Sequence, residues 1–529
     1  SLMVVAILTG LHGRRTCLRK NQKKNNPRTE RRIYTVQRLI RFEDIEHFDH
    51  VTDVVVAGFG GAGASAALEA RRAGSEVTVL ERSSAGGGST MMSACEMYLG
   101  GNGGTALQKD LGFSDSTDNF YNYLKECFGD NVDEERLKMY TEGGPEHFDW
   151  CESIGVKYKR GFFPGRDVVA MTGDSLQYTG NERSWPFTEK AEPIPRGHLP
   201  ADADHNGGQV FMSTLLKRVE ESGADIRVDA RITALIQDKE GRVRGCVAKI
   251  DNKPFYINTR QGVVLTAGGF VMNTQMTQQH LPRFVPIDNP HGNPGDMGDG
   301  IVLGVAAGGH AINMGEAFIC VAHYPPPQLT FGIFVNKFGQ RFINEDIYLA
   351  RMGHYAMQQE EKKIYMLIDN EYFERPAYAD TVEIVAVGET IEELETDAQF
   401  PVGSLQATVN YYNQYAETGQ DPLFHKAAEW LKPIKTAPFA LVSYSLDHLN
   451  PAIFTLGGLD VKPTGEVLTP DRDTIPGLFA AGRTVAGIPR TAKGYASGMS
   501  VGDATFFGRK AGQTVANNER TSAPPLPAK

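Results

Sequence analysis

The stretch DVVVAGFGGAGASAALEARRAGSEVTVLER, residues 53–82, decides the fold of this chain. Residues 54–57 form a continuous apolar run, which predicts a strand buried on both faces, as in a parallel sheet. We expect a helix rich in small residues to follow to about residue 73 and a second strand to span residues 76–80. Three glycines lie between the first strand and the helix, and an acid follows the second strand. This order is typical of a dinucleotide-binding βαβ unit.

Each residue of this motif has a physical task. Gly58 makes the tight turn, Gly60 lets a pyrophosphate approach the backbone, and Gly63 lets the helix and strand pack closely. Glu81 is placed to accept hydrogen bonds from the ribose hydroxyls. The alternative is a glycine-rich turn in another kind of βα unit, but the flanking strand, helix and acid favour the dinucleotide site.

Three further glycine clusters indicate which dinucleotide binds. They are SSAGGGSTMMSACE at 83–96, VVLTAGGF at 263–270 and PGLFAAGRTVAG at 476–487. The last two contain apolar strands that end in glycine, and an antiparallel meander with a turn at 239–241 is predicted before residue 263. Several glycine-lined strand ends are what a long cofactor in the crevice of an α/β sheet requires. A nicotinamide dehydrogenase with one glycine motif would not need them.

The composition is that of a globular protein. The 529 residues suffice for two or three domains, with 41% hydrophobic and 22% charged residues. No apolar run approaches the roughly 20 residues of a membrane span, so we expect no integral membrane segment. The six cysteines contain no CxxC pair, which favours reduced thiols in a cytoplasmic protein.

The charge is distributed unevenly along the chain. The net charge is −10, yet residues 1–41 hold eleven Lys and Arg residues and a single acid, Glu30. The rest therefore carries a charge of about −20 and offers no basic face for nucleic acid. An apolar run at 2–8 precedes the basic cluster, which reverses the order of a signal peptide. We interpret residues 1–45 as a basic, mostly disordered extension rather than a targeting peptide.

Taken together, the ordered motifs resemble a known family. After the dinucleotide motif come GGGST (86–90), TAGG (266–269), GDGI (298–301), GIFVNKFGQRFINED (332–346) and LFAAGR (478–483). The same order is found in the flavoprotein family of fumarate reductase and succinate dehydrogenase, to which the 3-ketosteroid dehydrogenases belong. The resemblance covers roughly residues 46–515.

This resemblance implies an α/β fold with FAD as the cofactor. It implies a Rossmann-like FAD-binding domain of the glutathione-reductase type, built from residues 46–311 and 444–515. An α+β capping and catalytic domain, residues 312–443, is inserted between these segments. We expect residues 516–529 to form a flexible tail.

The motifs and the resemblance together give the candidate FAD-binding residues. They are Gly58, Gly60, Gly61, Ala62, Gly63, Glu81, Arg82, Gly87, Gly88, Ser89, Thr90, Ile232, Ala267, Gly268, Gly269, Asp299, Gly300, Gly482, Met499, Ser500 and Val501. The N–H groups of residues 499–501, at the start of the last helix, are expected to stabilise charge that grows on the flavin pyrimidine. The histidine that holds FAD covalently in respiratory members is absent from 83–98, so we expect non-covalent FAD.

Three departures from the fumarate reductases argue against a dicarboxylate substrate. Tyr348 stands where the resemblance implies a proton-donating arginine, and Phe454 stands in place of a histidine. The stretch KGY at 493–495 replaces a substrate-binding arginine. Because a dicarboxylate needs cations to bind its two carboxylates, we expect an apolar, uncharged substrate with one carbonyl to polarise.

That pattern is similar to the 3-ketosteroid dehydrogenases. The stretch YASG at 495–498 differs from the Tyr-Pro-Gly type of the 1,2-desaturating branch and resembles the branch that acts on 5α-3-ketosteroids at the 4,5-bond. The implied roles are that Tyr495 and a backbone N–H bind the C3 ketone, that Ser497 takes a proton from C4, and that Tyr348 relays it. Hydride then passes from C5 to flavin N5. Gly498 completes the candidate catalytic set, and Tyr324 and Phe454 are expected in the substrate pocket.

Plainer interpretations stay open at several positions. Ser497 fits a helix N-cap, Tyr348 fits a core tyrosine, and Tyr324 fits a proline-rich loop. The histidines show no metal-ligand spacing, so we expect no metal. For the whole chain the alternatives are a 3-ketosteroid Δ1-dehydrogenase, a fumarate-reductase-like reductase of a non-steroid enoate, and a non-catalytic FAD-binding or electron-transfer protein. The sequence identifies neither an electron acceptor nor an oligomeric state.

Overall fold

A large mixed sheet carries the dinucleotide-binding motif. The computed structural model describes residues 38–201, 203–377 and 382–522. Within these ranges the main sheet has nine strands. In chain order they are Leu39–Arg41, His50–Ala57, Val77–Leu80, Asp225–Arg227, Arg231–Gln237, Val243–Ile250, Lys253–Leu265, Glu466–Leu468 and Thr474–Ala480.

The predicted βαβ unit is confirmed. Strands His50–Ala57 and Val77–Leu80 pair in parallel, and helix Gly61–Arg72 connects them. The first strand begins earlier than the apolar run because residues 50–52 pair with 257–259 of the neighbouring strand. Val54, Val55 and Val56 of this strand are fully buried, as a strand covered on both faces requires.

Three parallel strands end side by side and so gather the glycine clusters. Leu265 lies opposite Ala57 on one side and opposite Ala480 on the other. The strand that ends at Leu265 is also the last strand of the predicted antiparallel meander, whose first turn closes from Gly241 N–H to Asp238 O at 3.0 Å. Because the carboxyl ends of parallel strands share one edge, the glycines that follow each strand meet there.

Helices pack on the main sheet, around its edge and against a second sheet. The helices are Gly61–Arg72, Gly88–Met91, Ala106–Asp110, Thr117–Phe128, Glu134–Ile154, Gly207–Glu221, Thr274–His280, Asp299–Ala306, Leu349–Ala356, Ile391–Asp397, Ser404–Ala416, Leu446–Leu449 and Met499–Ala516. The last helix packs closely on the first: added Cβ atoms at Gly508 and Gly512 would overlap the carbonyls of Ala62 and Ala66. This approach brings the start of the last helix to the sheet edge. In the part of the chain that the structure describes, no helix has the length and apolar character needed to cross a bilayer.

A second, antiparallel sheet lies in the segment predicted as an insertion. Its strands follow the order Ile333–Asn336, Ile364–Asp369, Phe439–Ser443 and Glu383–Gly388. Two short antiparallel pairs link the chain on either side of it, Ala311–Ile312 with Gly458–Leu459 and Ala317–Cys320 with Ala452–Thr455. A separate hydrophobic cluster beneath this sheet includes Leu367, Leu405 and Leu441. The division into domains at residues 312 and 443 stays a prediction.

The ends of the described chain differ from the predictions. Residues 1–37 and 523–529 lie outside the described residues. Leu39–Arg41, assigned to the disordered extension, forms a strand parallel to Arg231–Gln237, and Ile40 and Phe42 pack beside the buried Phe48. In the predicted flexible tail, Thr521 N–H donates to Arg260 O at 2.8 Å. Both segments are held because their apolar or hydrogen-bonding groups find partners on the main sheet.

Candidate active site

One large cavity, about 340 Å³ in volume, lies at the edge where the glycine clusters meet. Most predicted FAD-binding residues line it: Gly58, Gly60, Gly61, Ala62, Glu81, Arg82, Gly88, Ser89, Thr90, Ile232, Ala267, Gly268, Asp299, Gly482, Ser500 and Val501. The candidate catalytic residues Tyr348, Tyr495, Ser497 and Gly498 line the same cavity, as does Phe454. The structure therefore brings the two predicted sets to one space.

Other predicted cofactor residues lie just outside the cavity lining: Gly63, Gly87, Gly269, Gly300 and Met499. Two of them are packing positions. A Cβ added at Gly63 would overlap the carbonyl oxygen of Gly58, and one added at Gly300 would lie 2.8 Å from the Thr484 side chain. Gly63 and Gly300 therefore allow close packing behind the cavity surface and do not line the cavity themselves.

Tyr324 lies away from the main cavity. It borders a separate space of about 20 Å³. The Arg166 guanidinium sits 3.8 Å from the centre of its ring, and the His323 ring packs edge-on against it. On the same segment Cys320 and Ala322 line the main cavity instead.

The glycine motif forms an open cradle. Gly58 has a φ of +111°, and an added Cβ there would overlap the carbonyl of Thr266, so only glycine fits. At Gly60 the nearest atom to an added Cβ is Gly88 Cα at 3.7 Å, so no protein atom fills that face. The cradle opens over the start of helix Gly61–Arg72, whose free N–H groups suit a pyrophosphate.

Glu81 is buried beside the cradle. Its Oε2 accepts the Phe59 N–H at 2.9 Å, and its Oε1 accepts the Ser83 N–H at 2.8 Å. A carboxylate has about four acceptor positions, so two remain for a ligand. The backbone bonds fix the carboxylate at the end of the second strand, where a ribose is expected.

Two arginines of the cavity were missed by the sequence analysis. Arg231 binds Asp299 through two bonds of 3.0 and 2.8 Å, and Arg483 pairs with Asp296. Arg483 stands inside the LFAAGR motif, which gave the only sequence signal for it. Asp296 and Arg231 lie in no motif, because their pairing depends on the meander and on the loop before helix Asp299–Ala306.

The donors around the cradle fit FAD. Arg483 Nη2 donates to Ser89 Oγ at 2.6 Å, while Nη1 of the same guanidinium is buried and has no hydrogen-bond partner among the described residues. An unsatisfied buried donor costs about 1–3 kcal/mol, so a ligand rich in acceptors is expected beside it. The open cradle, the free acceptor positions of Glu81 and this unpaired donor are together compatible with the phosphates and sugars of FAD.

The backbone at the mouth of the last helix is fixed by its neighbours. Ser497 N–H donates to Thr179 O, and Thr179 Oγ1 donates to Ser497 O, both at 2.9 Å. Gly498 has a φ of +94°, and an added Cβ would lie 2.8 Å from backbone atoms of Glu96 and Tyr98. Its carbonyl accepts the Tyr98 N–H at 3.2 Å. Ser497 is therefore held rigidly, and no side-chain N-cap bond of helix Met499–Ala516 is formed.

Tyr495 stands among aromatic rings with its hydroxyl on a polar partner. Phe318 packs edge-on against its ring at 4.8 Å, and Phe454 stacks on Phe318 at 4.5 Å. The Tyr495 hydroxyl donates to Ser500 Oγ at 3.0 Å. Burial raises the pKa of Tyr495 to about 12, so the phenol keeps its proton and acts as a donor.

Tyr348 lines the same cavity from the segment predicted as an insertion, residues 312–443. It precedes helix Leu349–Ala356, and its N–H donates to Asn181 Oδ1 at 2.8 Å. Its side chain interacts with the Ser497 side chain. Burial raises the pKa of Tyr348 well above the ordinary value for a phenol, so this hydroxyl also stays protonated.

Glu96 is a cavity residue that sequence reasoning missed. It ends the glycine cluster at 83–96, lines the cavity and is 5% exposed. Its carboxyl interacts with the Ser497 side chain, and burial raises its pKa to about 7. No sequence signal marked it, because its contact with Ser497 joins residues about four hundred positions apart in a chain of 529 residues.

Metal-binding and redox-active side chains give no further site. Among the described residues, no group of three His, Cys, Asp or Glu side chains is arranged to hold a metal ion. The described cysteines are all free thiols. His291 lines the cavity, and burial lowers its pKa, which favours the neutral ring.

Comparison with known proteins agrees with this geometry. Residues 53–498 match a protein family described as an FAD binding domain. The crystal structure of a 3-ketosteroid-Δ4-(5α)-dehydrogenase from Rhodococcus jostii RHA1, in complex with 4-androstene-3,17-dione, is 38% identical with a TM-score of 0.85. The match covers 90% of this chain and 99% of that one.

Two curated proteins extend the comparison. A 3-oxo-5-alpha-steroid 4-dehydrogenase of Comamonas testosteroni is 26% identical over 83% of this chain and 94% of its own length. A probable fumarate reductase of Shewanella frigidimarina is also 26% identical, over 88% of this chain and 75% of its own length. Dehydrogenases and reductases are therefore both found among the relatives.

Proposed function

The chain belongs to the FAD-binding flavoprotein family of the fumarate reductases and 3-ketosteroid dehydrogenases and is an FAD-dependent oxidoreductase, and from this premise we propose that it desaturates 5α-3-ketosteroids at the 4,5-bond. The observation that carries the proposal is the meeting of three hydroxyls, those of Tyr348, Tyr495 and Ser497, in one cavity. The steroid dehydrogenase with 38% identity and nearly complete mutual coverage supports the substrate class.

The charges of the cavity favour an uncharged substrate. The arginines that line it are Arg82, Arg231 and Arg483, and each of them binds Asp296 or Asp299. Another part of the lining, which we call the substrate half, is apolar and includes Phe318, Leu349, Leu449, Pro451 and Phe454. A dicarboxylate would need cations that are not already paired, whereas a steroid needs apolar walls and one polar end.

Tyr495 is suited to bind the C3 ketone. Its phenol keeps its proton because its pKa is about 12, and Ser500 Oγ lies 3.0 Å away to orient it. When Ser500 donates to the phenol oxygen, the phenol proton is free for the ketone. With the Gly498 N–H as second donor, this arrangement polarises the carbonyl and acidifies the protons on C4.

Ser497 is suited to take the C4 proton. Its backbone is fixed by Thr179, and its hydroxyl interacts with that of Tyr348. A serine hydroxyl alone is a weak base, so proton removal depends on the prior polarisation of the ketone. FAD held at the glycine cradle, without a covalent link, would supply the acceptor for the hydride that leaves C5.

The same proposal includes the domain division. Residues 46–311 and 444–515 form the FAD-binding domain, and residues 312–443 form a capping domain that delivers Tyr348. The short pairs on either side of the second sheet support these limits, since they connect the two crossings of the chain.

The direct test is anaerobic reduction of the bound flavin by 5α-androstane-3,17-dione, followed by absorbance. Bleaching with formation of the 4-ene product supports the proposal. Bleaching only by 4-androstene-3,17-dione, with a 1,4-diene as product, would assign the chain to the 1,2-desaturating branch. A flavin that neither steroid reduces would overturn the steroid assignment and favour an enoate reductase, to be tested with reduced flavin and fumarate.

A further inference from the structure

Four carboxyl groups line the cavity, and one of them differs from the rest. Glu81 accepts backbone N–H groups, and Asp296 and Asp299 each pair with an arginine. Glu96 is buried without a cationic partner in the described structure, and its Oε1 has no hydrogen-bond partner there. A buried carboxyl oxygen left without a partner is costly, so its retention calls for a reason.

Backbone contacts hold Glu96 against Ser497. Gly498 packs on the backbone of Glu96 so closely that a side chain there would overlap it, and the Tyr98 N–H donates to the Gly498 carbonyl. The Glu96 carboxyl and the Tyr348 phenol both interact with the Ser497 hydroxyl. Since this hydroxyl has one proton, it can donate to only one of the two groups, and an ionised carboxylate is the stronger acceptor.

The proton that Ser497 removes needs a final acceptor. A phenol such as Tyr348 is neutral and already holds its proton, so it can pass a proton on but cannot keep a second one. An ionised carboxylate can keep it. We propose that Glu96 is the proton acceptor behind Ser497, a positioning residue that acts on the substrate only through the serine hydroxyl.

The step balances, and it rests on the proposed function. The C4–H bond breaks, its proton goes to Ser497 Oγ, and the Ser497 hydroxyl proton moves to the Glu96 carboxylate. The electron pair of the C4–H bond becomes the second bond between C4 and C5, and hydride leaves C5 for FAD. Glu96 later returns the proton to solvent when product departs.

The surroundings of Glu96 set the direction of its pH dependence. The titratable groups that face it are Cys95, Tyr348 and Tyr495, and burial raises the pKa of each, so all three stay neutral near neutral pH. Burial raises the pKa of Glu96 itself to about 7. The carboxylate that accepts the proton is therefore present above this pH and lost below it.

The test compares Glu96→Gln with wild type in stopped-flow flavin reduction by 5α-androstane-3,17-dione, from about pH 5.5 to about pH 9. In wild type we expect the rate to rise through pH 7. In Glu96→Gln we expect a rate about 100-fold lower at high pH, with no such rise. Steroid affinity, read from flavin absorbance in the absence of turnover, stays unchanged because Glu96 does not contact the ketone.

Two further variants separate a proton-accepting role from a structural one. Glu96→Asp keeps a carboxyl and should recover part of the rate together with the pH dependence. Glu182→Gln is the matched control: Glu182 is also fully buried with a raised pKa, but its carboxyl binds Tyr98 and Gly180 outside the cavity. That variant should keep the wild-type pH dependence.

Each outcome decides between the inference and the proposed function. Wild-type flavin that no 3-ketosteroid reduces overturns both. Steroid reduction with the same pH dependence in Glu96→Gln and wild type overturns the role of Glu96 alone. A lower rate with the pH dependence preserved shows a structural effect and also overturns it.

Discussion

The two halves of the cavity are built in different ways. The FAD half, which comprises the glycine cradle, Glu81 and the paired arginines, consists of backbone groups and charges. The substrate half consists of aromatic and aliphatic side chains with a few hydroxyls. In the first half, added atoms are harmful because ligand and backbone approach closely. In the second half, we expect lost atoms to be harmful because the proposed chemistry depends on single hydroxyls.

The largest effect is expected in the substrate half, from Ser497→Ala. Loss of the hydroxyl that we propose accepts the C4 proton should lower the rate of flavin reduction by about 10²–10⁴-fold, the usual contribution of a positioned acid or base. FAD content should stay normal, because the Ser497 bonds to Thr179 come from its backbone. Stopped-flow absorbance measures the rate, and the ratio of flavin to protein absorbance measures the content.

Ser445→Ala is the control for this variant. Ser445 is another buried serine, 2% exposed, and its hydroxyl lies 3.2 Å from Ser443 Oγ outside the cavity. In the Ser445→Ala variant, the steroid should reduce the flavin at the wild-type rate. If Ser497→Ala also kept that rate, Ser497 would act only in shaping the backbone, and the two halves would not differ in the way described.

The FAD half was largely readable from the sequence because its parts are local. Gly58, Gly60 and Glu81 belong to one continuous βαβ unit, and the strand ends at Leu265 and Ala480 carry their own glycines. Pairing these strands in parallel then brings the parts together without further information. The arginine–carboxylate pairs were not predicted, because no fixed spacing in the sequence connects Arg231 to Asp299.

The substrate half was readable only through the family resemblance. Tyr348 and Tyr495 were expected there because they stand on family motifs, and the structure brings both to the cavity. Glu96 and Phe318 carried no motif, so they became visible only when the chain was folded. Tyr324 shows the opposite case, since the resemblance placed it in the substrate pocket, whereas its ring packs on Arg166 beside a separate space, as the proline-rich loop interpretation allows.

The next effect belongs to the FAD half, from Gly60→Ala. The residue has a φ of −87°, and its added Cβ meets no protein atom closer than 3.7 Å, so folding should be little affected. The methyl group projects into the space for the pyrophosphate, and overpacking of about 1–3 kcal/mol should weaken FAD binding by about 5- to 150-fold. Titration of apoprotein with FAD, followed by flavin fluorescence, measures the loss.

Gly63→Ala sharpens the contrast between ligand space and packing space. Its Cβ would overlap the carbonyl of Gly58, so this variant should lose thermal stability even without FAD. Equal melting temperatures for apo Gly63→Ala and apo Gly60→Ala would contradict the separation of roles within the glycine motif.

A smaller effect is expected in the substrate half from Phe454→Leu. The change removes the ring that stacks on Phe318 at 4.5 Å and stands edge-on to Tyr495. An aromatic pair contributes about 0.5–1.5 kcal/mol beyond its buried area, so steroid affinity should fall by about 2- to 13-fold. Steroid affinity is measured by adding steroid to the protein and following the absorbance of the oxidised flavin. An unchanged affinity would show that the Phe454 ring does not face the ligand.

The smallest effect is expected in the FAD half from Arg231→Gln. Arg231 binds Asp299 through two bonds, but its side chain is 43% exposed, so solvent screens the pair. We expect FAD affinity to fall by less than about fivefold, since partly exposed ion pairs contribute at most about 1 kcal/mol. When the same FAD titration is repeated at high salt, the difference in FAD affinity between Arg231→Gln and wild type should become smaller, because salt screens an exposed ion pair. A loss larger than that of Gly60→Ala would mean that charge, and not backbone approach, dominates the FAD half, because Asp299 would then depend on Arg231 to keep its place beside the cofactor.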